Sequence, residues 1–129
     1  MNFRDLRIWI LGQEIAVYVY SLTKIFPKDE LFGLVSQMRR AAVSISSNIA
    51  EGFNRRKTRD FQRFLYIALG SCAELENQLE LCFKLGYIDL NKKKISIENL
   101  QYEGRMIRKL VERFSLGTRN QELGTPLKE

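Results

Sequence analysis

LFGLVSQMRRAAVSISSNIAEGF, Leu31 to Phe53, is the stretch whose reading decides the fold. At about 100° per residue, Leu31, Leu34, Val35, Met38, Ala42, Ile45, Ile49 and Phe53 share one arc, which predicts a helix with a core face. Opposite lies a polar arc of Gln37, Arg40, Ser44, Ser47, Asn48 and Glu51. Between the two, Phe32, Val43 and Ala50 make a second, thinner apolar line. A helix with one neighbouring layer needs one apolar face, so the second line predicts a further partner surface. The helix ends at Glu51-Gly52 with Gly52 as its cap, or Phe53 prolongs it by a turn.

Working outward, three more segments have helical period. The first runs from about Arg4 to Ile25, with Ile8, Leu11, Ile15, Leu22 and Phe26 inward and Trp9, Ala16 and Tyr20 on a displaced line. Aromatics at this spacing are packing groups more often than stacking platforms for bases. Pro27 breaks this helix, and Asp29 and Glu30 suit the positive end of the next. After the connector Asn54 to Lys57, a third helix spans about Arg59 to Leu85, with Thr58 as N-cap and Asp60 in its first turn. Phe61, Phe64, Leu65, Ala68, Cys72, Leu75, Leu79 and Phe83 form its core face, and Gly86-Tyr87 stops it. A fourth helix starts at Asp89, Asn91 or Ser96. Ile95, Tyr102, Met106, Leu110 and Phe114 keep helical spacing, and Gly117 ends it. There are no strand signals. The expected fold is all-α, an antiparallel up-down-up-down four-helix bundle over residues 1–117, with a mobile tail over 118–129.

Several blocks also carry a resemblance. QMRRAAVSISSNIAEG, Gln37 to Gly52, resembles the signature of a bacterial family of small four-helix-bundle proteins, the 23S rRNA intervening-sequence proteins. The likeness extends to FRDLRIW at Phe3 to Trp9 and FPKDELFGL at Phe26 to Leu34. It resumes at DFQRFLYIALGSCAELE, Asp60 to Glu76, and ends near Leu85 to Ile88. It implies a bundle assembled into a ring, commonly a homopentamer, with no established enzymatic activity. Distant relatives serve as accessory subunits of reverse transcriptases.

Composition narrows the function classes. The chain has 129 residues and no histidine, so Ser-His and Cys-His nucleophile pairs are impossible. No phosphate-cradling glycine loop is present. Cys72 and Cys82 form no zinc-type ligand set, and both fall on the core side of one helix, where buried thiols are expected. Ten positions of helix rise about 15 Å, too far for a disulfide between them. We expect no enzyme, no metal and no cofactor. No apolar run approaches the length of a membrane span and no signal pattern opens the chain, so a cytoplasmic protein without membrane contact is expected. The net charge of +6 and a pI near 9.5 favour an anionic partner.

Three groups of residues are candidates for function. Arg55, Arg56, Lys57, Arg59 and Arg63 place five cations within nine positions at a turn, where phosphate contact without sequence readout of RNA or DNA is expected. Gln37, Arg40, Ser44, Asn48 and Glu51, with Glu74 and Glu76 as partners for Arg40, form an expected half-buried polar network that sets register and assembly. Phe32, Val43, Ala50, Trp9 and Tyr20 form the expected oligomer interface. The leading expectation is an oligomer that binds nucleic acid, structured RNA above all. The alternative is an oligomeric scaffold whose partner is a protein, such as a nucleic-acid-processing enzyme.

Overall fold

Apolar period sets the helices, and a few side chains and glycines set their ends. The computed structural model describes the backbone of residues 1–120 and the side chains of residues 1–115. It contains α1 (Arg7–Thr23), α2 (Leu34–Asn54), α3 (Thr58–Lys84) and α4 (Leu90–Asn120), with no strand among the described residues. Single 3-10 turns at Phe3–Asp5 and Lys28–Glu30 precede α1 and α2.

Helix α2 begins at Leu34 rather than Leu31. Glu30 closes a 3-10 turn and Gly33 takes φ −110°, ψ −108°, a break in the helical path. The Glu30 carboxylate then accepts from the Leu34 amide at 3.4 Å, satisfying one of the orphan donors of the new helix. Leu31, expected in the core, therefore sits in the turn and is 50% exposed. The remaining seven residues of the predicted core arc are buried. Tyr87 holds the same turn from the far side of the chain, donating its hydroxyl to Glu30 at 2.8 Å and packing on Phe26.

Helix α1 stops at Thr23, short of Ile25, which is exposed. Its buried stripe is Ile8, Gly12, Ile15, Val19 and Leu22, a regular three-four spacing that includes a glycine. Leu11 is only partly buried. In α3 the extended Lys57, not Thr58, takes the N-cap position, and Thr58 is the first helical residue. Asp89 starts α4 by accepting from the Lys92 amide at 2.8 Å. The backbone of α4 continues through Gly117 to Asn120. A glycine weakens a helix by about 1 kcal/mol but does not stop one without a reversal of the chain. The rest of the expected tail, 121–129, lies outside the described residues.

The core face of α4 differs from its expected stripe. Ser96, Leu100, Glu103, Ile107, Leu110 and Phe114 are buried, whereas Ile95 and Tyr102 are exposed. A carboxylate at a core position hides the true period. Glu103 is fully buried, and its Oε2 lies 3.1 Å from the point a Cβ on Gly12 would occupy.

Each sequential pair of helices is pinned by contacts whose residue numbers rise on one helix as they fall on the other. Gln13 donates to Ser46 and Arg39 to Thr23 between α1 and α2. Ser71 donates to Ser44, and the Cys82 thiol meets the Met38 sulfur, between α2 and α3. Gln62 donates to Ser115, Gln101 to Glu76, and Lys93 pairs with Glu80 between α3 and α4. The contact of Gly12 with Glu103 joins α1 to α4. One continuous apolar cluster fills the space between the four.

Two helical glycines, Gly52 and Gly70, and Gly86 in the turn after α3 make distinct predictions for thermal or denaturant unfolding. At Gly52 an added Cβ would lie 2.6 Å from the Phe64 Cβ, so Gly52→Ala is expected to destabilise by about 1–3 kcal/mol. At Gly86, φ is +81°, so Gly86→Ala is expected to cost about 1–2 kcal/mol. At Gly70 nothing lies within 4 Å, and Gly70→Ala is expected to stabilise by about 0.5–1 kcal/mol.

Candidate nucleic-acid interface

The turn between α2 and α3 is built by aromatic packing beneath it. Gly52 is not a cap but a contact point, where α2 lies against Phe61 and Phe64 of α3. Phe53 meets Phe61 edge-on at 5.8 Å, and Phe61 packs on Phe114 at 5.2 Å, tying α4 to the same end. The Arg55 and Arg56 amides donate back to the Gly52 and Phe53 carbonyls and close α2. Arg56 then adopts φ +66°, the left-handed conformation, and Lys57 is extended into α3.

All five predicted cations at this turn are exposed. Arg55 and Arg63 converge on one ring: their guanidinium carbons lie 5.2 and 4.6 Å from the Phe64 centroid. Cation–π contact orders the two groups without removing their charge. Arg55 also pairs with Glu51 at 3.0 Å, an exposed contact of small energetic weight. Arg56, Lys57 and Arg59 project from the turn and the first helical turn of α3, where the helix dipole adds positive potential. Asp60 is the acid of that turn.

The polar network expected along α2 breaks into separate pieces. Ser44 and Asn48 are joined at 2.9 Å, and Ser44 accepts from the buried Ser71. Arg40, Gln37, Glu51 and Glu74 are instead exposed in the single chain. Glu51 serves Arg55, Glu74 accepts from Gln78 at 3.4 Å, and Glu76 faces α4 through Gln101. Arg40 and Glu74 line one groove, but no ion pair joins them among the described residues. The arc is about 100° wide, but of these residues it is Ser44, near its middle, that bonds across to α3, while Gln37, Arg40 and Glu51, one to two turns along the helix on either side, stay at the surface.

That groove is open, with a volume of about 960 Å³, and Tyr20, Leu31, Phe32, Val43, Arg39 and Arg40 are among its lining. Phe32 is 92% exposed, and Val43 and Tyr20 are exposed too. Ala50 is half-buried. Trp9, by contrast, is committed within the chain, packed edge-on against Phe3 at 5.4 Å and against the core.

The 23S rRNA-intervening sequence protein family model matches residues 4–109. The chain belongs to that family. A solved structure of a protein with unknown function from the S23 ribosomal protein family of Bacteroides thetaiotaomicron VPI-5482 has a TM-score of 0.76 with it. Identity is 24%, over 81% of this chain and 95% of that one, so the likeness is one of fold. No curated protein matches the chain. Among the described residues, no helix is long and apolar enough to cross a membrane.

Two arginines of α4 were not legible as site residues in this family member's sequence. Arg105 and Arg108 line a second cleft, of about 330 Å³, opposite Cys72 and Glu76 of α3. Helical wheel position alone leaves them on a solvated face. The cleft exists because Ala73 and Gly104 lack bulk where α3 and α4 meet.

Neither thiol is suited to chemistry. Burial, reinforced by Glu103, pushes the Cys72 thiol up to about 12, with Arg108 opposing. Burial pushes Cys82 up to about 11, with Glu30 adding to it. Both are free and buried. Reaction with a thiol reagent at pH 8 is expected to be negligible in the native protein and complete at both sites after denaturation. Folding favours the protonated thiols, so their contribution to stability is whole below the ordinary value of 9.0 and is lost as pH rises through the folded values. An unfolding series from pH 8 to 11 is expected to show that decline, and a Cys82→Ala variant a shallower one.

Proposed function

We propose that the protein is a non-enzymatic, homo-oligomeric nucleic-acid-binding bundle that holds structured RNA by its phosphates, without reading sequence. The observation that carries this reading is the α2–α3 turn: five exposed cations, two of them ordered over Phe64. Arg56 strengthens it. An arginine is held at φ +66°, where glycine would fit without strain, so charge is kept at a position that disfavours a side chain. Membership of a family named for intervening sequences in 23S rRNA is consistent with an RNA-related role. The absence of histidine in the sequence and the raised thiols support a binding rather than a catalytic task.

The opposed numbering of the interhelix contacts supports an antiparallel up-down-up-down arrangement. The open groove around Phe32 and Val43 supports a self-association surface on α1 and α2. A ring of five is what the family resemblance implies for that assembly. In such a ring the basic turn recurs in every subunit, and several weak phosphate sites add through avidity.

Changing Arg55, Arg56 and Lys57 together to Glu is expected to weaken RNA and DNA binding alike. It should flatten the plot of log affinity against log salt by about 2, roughly 0.7 per lost contact on a single strand. Folding and oligomer mass should be unchanged. A triple variant that assembles and binds as the parent does removes this turn from the site. If the parent binds no RNA at low salt, the protein-scaffold reading replaces this one. Arg56→Gly separates stability from function: it is expected to raise stability by up to about 1 kcal/mol while weakening RNA binding. Val43→Glu is expected to lower the sedimentation mass of the assembly while leaving helical circular dichroism intact.

A further inference from the structure

Between α3 and α4 the surface holds a cleft of about 330 Å³ whose polar lining is Arg105, Arg108, Gln101 and Glu76. Gly104 is buried in mid-helix, yet the nearest atoms to an added Cβ are those of Arg108, at 3.4 Å for Nη1 and 3.8 Å for Cζ and Nη2. The Arg108 guanidinium therefore lies beside the glycine, its Nη1 nearest. A glycine is a poor helix residue, and here its missing side chain leaves room beside the exposed Arg108 guanidinium. Gln101 donates to Glu76 at 3.2 Å and so engages the carboxylate of the cleft. Arg105 stands one turn earlier on α4, its guanidinium 5.8 Å from the Tyr102 ring.

Two guanidiniums beside a notch suit an oxyanion with several acceptor atoms, two cations against the one carboxylate of Glu76 in the lining. The cleft also continues the basic turn. Gln62, between Arg59 and Arg63, contacts Ser115, and Leu69 lines the cleft seven residues further along α3. That is on the order of 10 Å by helix rise, within reach of one nucleic-acid backbone. We infer that the α3–α4 cleft is a second phosphate site, in which Arg108 and Arg105 hold a backbone phosphate of the same RNA whose neighbouring phosphates lie on the α2–α3 turn. This inference rests on the nucleic-acid reading given above and adds a place and a direction to it: the backbone leaves the turn along the α3–α4 seam.

The test is a salt series of binding to a labelled RNA hairpin by the full-length chain, with helicity and oligomer mass checked for each variant. Arg105→Gln/Arg108→Gln removes both guanidiniums. Gly104→Leu keeps every charge but fills the notch. Lys109→Gln/Arg113→Gln removes the same charge from α4 at positions that do not line the cleft. The cleft double variant is expected to bind several-fold more weakly than the parent, with its salt slope flattened by about 0.7–0.9, one phosphate contact. Gly104→Leu should weaken binding at unchanged net charge, and Lys109→Gln/Arg113→Gln should move both quantities less than either. The inference is overturned if the parent binds but the cleft double variant, correctly folded and assembled, is indistinguishable from the Lys109/Arg113 control. Should Gly104→Leu not fold, that comparison decides alone. A parent that binds no RNA overturns the nucleic-acid reading and this site with it. Loss of binding by the turn variant but not by the cleft variants leaves that reading standing and overturns only this inference.

Discussion

The approach of α2 to α3 at Gly52 is the constraint on which the rest of the molecule depends. With no Cβ at that point, the backbone of α2 rests directly on Phe61 and Phe64. Phe53, Phe61 and Phe114 then interlock, so three of the four helices are fixed at one end of the core. The short turn that follows has little conformational choice, and Arg56 is driven into the left-handed region to complete it. The same Phe64 that excludes a side chain from Gly52 receives Arg55 and Arg63 on its surface. Packing within the bundle and charge at its surface are thus two consequences of one contact.

The opposite end is held differently. Glu30 accepts from the Leu34 amide and from the Tyr87 hydroxyl, which links the α1–α2 connector to the segment after α3. The hydrogen bond to that carboxylate favours the neutral phenol and raises its proton affinity above the ordinary value. Because Glu30 fixes the turn, Leu31 and Phe32 are carried outward onto the groove. An exposed Phe32 is therefore a product of local capping rather than a flaw in the core. A groove of this character is what the self-association proposed above would use.

Most of the fold was legible because apolar residues on α2 and α3 recur at helical spacing without interruption. Where sequence and structure part, residue class often fails to give position. Gly12 and Ser46 sit in the core because α1 and α2 need small groups where they cross, and Glu103 sits there as a buried carboxylate against Gly12. Counting only apolar residues moved the α4 stripe onto Tyr102. Shared spacing with Ser44 and Asn48 predicts a half-buried Arg40, yet four residues along the helix from Ser44 it is at the surface of the single chain. The basic turn was legible as charge density along the sequence. Arg105 and Arg108 were not, because what distinguishes them is the missing side chain of Gly104 and the opposing face of α3.

The central claim is the proposal that nucleic acid is held by the turn before α3 and by the α3–α4 seam that runs on from it. Hydrogen exchange on the assembled protein, with and without a structured RNA at low salt, tests it most directly. Protection is expected in the backbone amides around Arg55 to Arg59, with side-chain shielding of Arg105 and Arg108 in a parallel arginine-labelling measurement, and both should fade as salt is raised. RNA bound with no change at the turn, or with protection confined to the Phe32–Val43 groove, would contradict it.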